Sequence, residues 1–279
     1  MSFRFKALGA SPRNALDRVD LEIESGEFLA LVGASGSGKT TLMQHLTGLL
    51  QPDQGRVLID GVDLRAKSTR LDQIRRRVGL VFQFPESQLF ETTVYDDVAF
   101  GPRNLELTDQ EIEHRVRQAL QLVALNFQQF KERSPLFLSE GEKRRVAIAG
   151  IIAMQPEFLA LDEPTAGLDY SGVQAVTKIM KSLHARGTSI LLISHSLELV
   201  AALVPRVVVL RAGKIIFDGT PTELFDQPGV LQATGLEVPR IQKLAKMLRE
   251  RGWIDSNETC FDLPKLKQAL ARKSSAQPN

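Results

Sequence analysis

The chain has 279 residues, of which 43% are hydrophobic and 24% charged, with a formal net charge of +2. Those values exclude a disordered tail, a collagen-like fibre and a disulfide miniprotein, and so balanced a charge gives no broad nucleic-acid footprint. The lone cysteine, Cys260, cannot form an internal disulfide and reads as an inert thiol of a reducing compartment.

The N-terminal MSFRFKALGA has no apolar core of signal-peptide length. Phe28 to Val32 is a short apolar run of strand type. It leads into the turn Gly33-Ala34-Ser35-Gly36-Ser37-Gly38, and a helix is expected from Lys39 to Leu49. Val57 to Asp60 and Val78 to Gln83 read as further strands. From about 84 to 150 the texture turns helical: Thr108-Asp-Gln-Glu111 is a capping box, followed by a face of Val116, Leu120, Val123 and Ala124. Phe158 to Leu161, Ser189 to Ser194 and Val207 to Leu210 are strands again. VVVL and KIIFDG flank Arg211-Ala-Gly213 as an antiparallel hairpin. Fully apolar strands between helices predict a parallel sheet covered on both faces. Thr220-Pro-Thr-Glu223 opens another helix. Beyond it lie two basic amphipathic stretches, near 240–250 and 264–272, and a frayed tail, KSSAQPN. No run supplies the about 20 apolar residues that a spanning helix needs, because Ser194, His195, Glu198, Pro205 and Arg206 interrupt the segment 190–210. Attachment to a membrane would therefore come through another subunit.

Gly33 to Thr40 matches G-x-x-x-x-G-K-[ST]. Its glycines let the backbone approach phosphate oxygens, and the helix that follows offers its positive end. Lys39 would reach the β- and γ-phosphates, and Thr40 would ligate Mg²⁺. Downstream, the strand ending in Asp162-Glu163 supplies a carboxylate for Mg²⁺ and another for the attacking water.

With these two motifs, the chain resembles the ATP-binding subunit of an ABC transporter over roughly 1–225. Gln83 matches the Q-loop glutamine, which would touch Mg²⁺ and water. Leu138-Ser139-Glu140-Gly141-Glu142 stands at the signature motif, usually LSGGQ, and Ala166-Gly-Leu-Asp169 resembles the D-loop. His195 follows a strand as the switch histidine does. FQFPESQLFETTVYDDVAFGPRN (82–104) and KRRVAIAGIIAMQPEFLALDEPTAGLD (143–169) narrow the resemblance to the ATPase subunits of energy-coupling-factor transporters.

The resemblance implies an α/β fold: a P-loop ATPase with a mainly parallel sheet core, antiparallel edge strands and an inserted helical subdomain (84–150) within 1–225. A small C-terminal helical extension (226–279) would help dimerise. It implies ATP and Mg²⁺ as cofactors, with residues 33–41 (through Thr41) on the phosphates, Thr40, Gln83 and Asp162 on the metal, and Glu163, His195 and Gln83 in catalysis. Ser139 and Gly141 would act in trans on a second ATPase, a copy or a paralogue, with Asp169 at the seam. Phe5 is the candidate for stacking on adenine. The expected partners are a membrane coupling (T-type) subunit, docked on Glu86, Gln88 and Asp97, and a small substrate-binding membrane subunit. They would place the chain on the cytoplasmic face of the cell membrane. Glu140 and Glu142 depart from LSGGQ, and Glu140 is expected to point away from phosphate. Other readings stay open: the ATPase of another ABC transporter type, a soluble ABC ATPase, or a module that binds ATP without cleaving it. His45, His114 and His184 read as solvated helix residues, Lys143-Arg144-Arg145 as a solvated charge run, and Trp253 and Phe261 as core of the C-terminal region.

Overall fold

The structure, a computed structural model, describes residues 1–5, 13–67, 69–255, 260–261 and 263–275. In chain order these form β1 (Phe3–Phe5), β2 (Arg13–Leu16), β3 (Phe28–Val32), α1 (Lys39–Leu46), β4 (Leu58–Ile59), β5 (Val62–Asp63), α2 (Leu71–Arg77), β6 (Val78–Val81), α3 (Val94–Arg103), α4 (Asp109–Leu122), α5 (Phe127–Phe130), α6 (Glu140–Ile152), β7 (Phe158–Asp162), α7 (Tyr170–His184), β8 (Ser189–Ile193), α8 (Leu197–Leu203), β9 (Arg206–Arg211), β10 (Lys214–Gly219), α9 (Pro221–Phe225), α10 (Pro228–Thr234), α11 (Arg240–Glu250) and α12 (Leu263–Ser275). Single 3₁₀ turns stand at Pro85–Gln88 and Pro135–Phe137.

The central sheet has the order β10-β9-β3-β8-β7-β6. The five strands from β9 to β6 are parallel, and β10 pairs antiparallel with β9 as an edge hairpin. Alternate residues of each strand serve opposite faces. Phe28, Ala30 and Val32 join one core with Ile190, Leu192, Val207 and Val209; Leu29 and Leu31 join the other with Leu191, Ile193, Val208 and Leu210. That two-sided burial is why the strands read as unbroken apolar runs.

The helical segment packs its own apolar faces into the first of those cores. Val94 and Val98 of α3, Ile112, Val116 and Leu120 of α4, and Val146, Ile148 and Ile152 of α6 all belong to it. The capping box expected at Thr108 is formed, and the helix expected from Thr220 also opens with a capping box. Helices α11 and α12 enclose a separate small cluster of Ala245, Ile254, Cys260, Leu266 and Ala269. There the Gln242 side chain donates to the Cys260 carbonyl at 2.6 Å.

Several expectations need correction. The first helix stops at Leu46, because Gly48 turns left-handed (φ +68°) just after it. The strand expected over 57–60 is only Leu58–Ile59, since Asp60 and Gly61 both take positive φ and turn the chain into β5. The strand before Gln83 ends at Val81. Ala124 lies past the end of α4, exposed and left-handed. His45 is fully buried: its Nδ1 lies 2.7 Å from the Thr41 carbonyl and its ring meets Phe3 edge-on. His184 is half-buried against Phe28, and only His114 is exposed. Trp253 is 58% exposed and Phe261 half-buried, so neither fills the C-terminal core. Residues 276–279 of the tail lie outside the described residues.

Candidate functional site

The parallel topology brings the motif loops together. β3, β8, β7 and β6 are neighbours in that order, and each ends in one motif: the Gly33–Gly38 loop, His195, Glu163 and Gln83. Ligands of open parallel sheets bind beyond such carboxyl ends.

The loop after β3 is shaped by glycines that cannot be replaced in place. A Cβ on Gly33 would lie 2.1 Å from the Leu210 carbonyl oxygen, and one on Gly38, at φ +108°, 2.4 Å from that of Ala15. β9 and β2 thus press against the loop from outside and hold it wrapped. Gly36 is left-handed, and Ala34, Ser35 and Gly36 are exposed at the tip. Gly38 is the N-cap of α1, so the first amides of this eight-residue helix face the loop. Lys39 is buried, and its Nζ donates to the Gly33 and Ala34 carbonyls at 2.8 and 3.0 Å. Burial lowers its pKa, while Glu163 and Asp162 oppose the shift. Ser37 Oγ is buried without a hydrogen-bond partner, and Thr41 is buried.

At the end of β7, Thr40 donates from Oγ1 to Asp162 Oδ2 at 2.8 Å. The backbone turns sharply at Glu163, a non-glycine residue at φ +48° whose amide donates to the Ile193 carbonyl at 3.0 Å. Such a conformation is strained and persists only where the surroundings enforce it. Burial raises the Glu163 carboxyl to about 7; Asp162 adds to the shift and Lys39 opposes it. Its Oε1 is buried without a hydrogen bond. His195 Nε2 lies 3.4 Å from that oxygen, and the imidazole is half exposed. Burial and Lys39 lower the His195 pKa below its ordinary 6.5. At neutral pH the pair is therefore a neutral imidazole beside a carboxyl poised to exchange a proton, and an ion pair is disfavoured.

Other site residues stand apart from this centre. Gln83 is exposed and makes no hydrogen bond among the described residues. Phe5 is 50% exposed on β1, edge-on to Phe3 at 5.1 Å. Asp169 caps α7, accepting from the Gly172 amide at 2.7 Å. Ser139 caps α6: its Oγ accepts from the Glu142 amide and donates to Glu142 Oε2. Glu140 is exposed and paired with Lys143 at 2.9 Å. A Cβ on Gly141 would meet nothing within 4 Å, so no neighbour in this chain requires glycine there.

The acidic docking face takes a different form. Glu86 is only 12% exposed and is gripped by Arg144. Asp97 is half-buried: its Oδ1 accepts from the Phe90 and Glu91 amides, its Oδ2 has no partner, and burial raises its pKa. Of the three residues named, Gln88 alone is exposed. The outward surface here is aromatic, with Phe84, Phe90 and Phe100 each 48% to 66% exposed. Arg144 itself, expected in solvent, is buried at 3% exposure. The missed signal was helical spacing: Arg144, Ile148 and Ile152 share one buried face of α6.

Comparisons with known proteins agree with this geometry. Residues 16–166 match the ABC transporter family. The chain is 46% identical over 261 residues to the energy-coupling factor transporter ATP-binding protein EcfA2 of Clostridium tetani, covering 93% of this chain and 90% of that protein. It is 51% identical over 239 residues to EcfA2 of Symbiobacterium thermophilum, covering 86% and 83%. Among solved structures it resembles cbiO1 of Clostridium perfringens, part of the ABC transporter complex cbiONQ (TM-score 0.73, 36% identity, 88% of this chain and 96% of that one). It also resembles a dimeric ATP-binding cassette in a post-hydrolysis state with ADP and Pi (TM-score 0.71, 27% identity, 79% and 96%). The chain belongs to the ABC transporter family, among the ATP-binding subunits of energy-coupling factor transporters.

Proposed function

We propose that this chain hydrolyses MgATP to drive uptake of a vitamin or transition-metal ion through membrane-embedded partners. The observation that carries the reading is the row of Lys39, His195, Glu163 and Gln83 beyond four adjacent strands. Residues 33–41 would hold the triphosphate, with loop amides and Lys39 on its oxygens. Lys39 now bonds two loop carbonyls, so it is already aimed into the loop that a phosphate would fill.

Thr40 and Asp162 fit a hard cation, a hydroxyl and a carboxylate in contact, and the exposed Gln83 amide at the end of the neighbouring strand would have to come in as a third oxygen donor. No cluster of three or more His, Cys, Asp or Glu side chains suited to a metal occurs among the described residues, so phosphate oxygens and water would complete the shell. The ion supplies charge neutralisation on the transferring phosphoryl group. Glu163 accepts a proton from the attacking water, which its raised pKa suits. His195 donates to the γ-phosphate and orients the water, and Phe5 stacks on the base.

Catalysis would need a second ATPase placed head to tail, a copy or a paralogue. Ser139 and Gly141 of each chain would close over the other's ATP, with Asp169 at the seam. The open space at Gly141 supports this, because no neighbour within the chain demands glycine there. Residues 226–279 would extend the contact between ATPases. ATP closes the pair, and hydrolysis reopens it. That motion would reach the T-type coupling subunit and the small substrate-binding subunit through Gln88 and the exposed Phe84, Phe90 and Phe100. Such an assembly sits at the cytoplasmic face of the cell membrane. A mild-detergent pull-down of the tagged chain from native membranes, read by mass spectrometry, tests this. A polytopic coupling protein and small membrane proteins should be retained. Retention of only soluble or ribosomal partners would contradict the transport role.

A further inference from the structure

Arg144 links three loops that are far apart in sequence. Its guanidinium grips Glu86 with both prongs, Nε to Oε2 at 3.0 Å and Nη2 to Oε1 at 2.7 Å. Its remaining nitrogen, Nη1, donates to the carbonyls of Pro164 and Ala166 at 3.3 and 2.5 Å. Phe84 lies alongside, its ring centroid 5.9 Å from the guanidinium carbon. A buried charge held so completely is unusual, and its partners are specific. Glu86 is the second residue of the 3₁₀ turn Pro85–Gln88, which follows Gln83 and is flanked by the exposed Phe84 and Phe90. Pro164 and Ala166 form the turn immediately after Glu163. Arg144 itself lies one turn into α6, whose first turn carries Ser139 and Gly141.

We propose that Arg144 is a positioning residue for Glu163: it fixes the strained Glu163 turn from behind and ties it to Glu86, so that displacement of the 83–88 segment moves the base. This rests on the ATPase reading above. The physical reasoning is local. Glu163 sits at φ +48°, its carboxyl facing His195 and its outgoing backbone running through Pro164 to Ala166. Proline lacks an amide, so the turn has few hydrogen bonds of its own: Ala166 to the Glu163 carbonyl at 3.1 Å and Leu168 to that of Thr165 at 3.3 Å. The two bonds from Nη1 are what anchors this turn to α6. A lysine offers donors but no fork, so it can serve the carboxylate or the carbonyls and not both sets.

The test uses the full chain, with any co-purifying ATPase, in four variants: Arg144→Met, Arg144→Lys, Glu86→Gln and the double variant Glu86→Gln/Arg144→Met. Removing Arg144 alone leaves a mostly buried carboxylate without its partner, which destabilises the fold; the double variant removes that uncompensated charge and should recover part of the lost melting temperature, the remainder being the Pro164 and Ala166 carbonyls left without their donor. Turnover should not recover with it. We expect kcat lowered on the order of 10–100-fold in both Arg144→Met variants, the scale of a misplaced catalytic group. Affinity for a fluorescent ATP analogue should stay within about twofold, since the phosphate loop is untouched, and Arg144→Lys should fall between. Hydrogen exchange without nucleotide should speed up at the Ala166 and Leu168 amides in both Arg144→Met variants. Full recovery of kcat in the double variant, or unchanged exchange at those amides, would overturn the proposal. Exchange reads the linkage without turnover, so a wild-type chain that cleaves no ATP would defeat the ATPase reading while the exchange result still decides the role of Arg144.

Discussion

Raising the pH from 6 to 8 should raise kcat/KM for MgATP about tenfold, and Glu163 is the reason. Burial beneath the end of β7 and the adjacent Asp162 carboxylate disfavour its charged form and bring its pKa to about 7. Only the carboxylate can accept the proton of the attacking water. With that pKa the ionised fraction is about 9% at pH 6, about 50% at pH 7 and about 91% at pH 8. The sign follows: a raised acid pKa withholds the base at low pH, so activity rises through 7. His195 does not reverse the trend, because burial and Lys39 lower its pKa from the ordinary 6.5, so rising pH only favours the neutral imidazole. kcat/KM is the quantity to follow because it reports the free enzyme's groups. The assay is phosphate release at ATP concentrations below KM, with Mg²⁺ in excess and constant ionic strength, over pH 5.5 to 8.5. A profile flat between pH 6 and 8, in a chain that still needs Glu163, would refute the assignment of this pKa to the base.

Gly38→Ala should abolish ATP binding, since its Cβ would lie 2.4 Å from the Ala15 carbonyl at a backbone angle that costs about 1–3 kcal/mol for a non-glycine residue; titration with a fluorescent nucleotide checks it. Phe90→Ser should weaken retention of membrane partners while costing no more than about 1.5 kcal/mol of stability, because the ring is 66% exposed and is held edge-on to Phe100 at 5.0 Å. Pull-down and thermal melting read the two effects. Leu191→Ala should cost about 2–5 kcal/mol in chemical denaturation without altering the ATP affinity of the folded fraction, since Leu191 is wholly buried in the sheet.

The phosphate loop was legible because its determinants are local: a strand, spaced glycines and a helix start occupy one short segment. The same holds for the capping box at Thr108, where residues three apart satisfy each other's backbone. The parallel sheet was legible from strands apolar on both faces. What escaped was partnership across distance. Glu86 read as a docking charge and Arg144 as a solvated one, yet each is the other's partner over 58 positions. Nothing near either residue announces the other, although the spacing of Arg144 with Ile148 and Ile152 put it on the buried face. His45 was misjudged for a related reason: its surroundings come from β1, through Phe3, as well as from α1. With Glu86 paired inside to Arg144 and Asp97 half-buried against the Phe90 and Glu91 amides, the exposed rings of Phe84, Phe90 and Phe100 are prominent on the face left for a partner.

The most direct test of the central claim is the Glu163→Gln variant, assayed with its ATPase partner for both turnover and retained nucleotide. The account predicts turnover lowered on the order of 10²–10⁴-fold, the contribution of a general base. ATP should remain uncleaved on the chain and the two ATPases should stay associated, seen as a larger species in light scattering. Turnover at the wild-type rate would contradict the account at its centre, because it would mean that the Glu163 carboxylate is not the group that takes the proton.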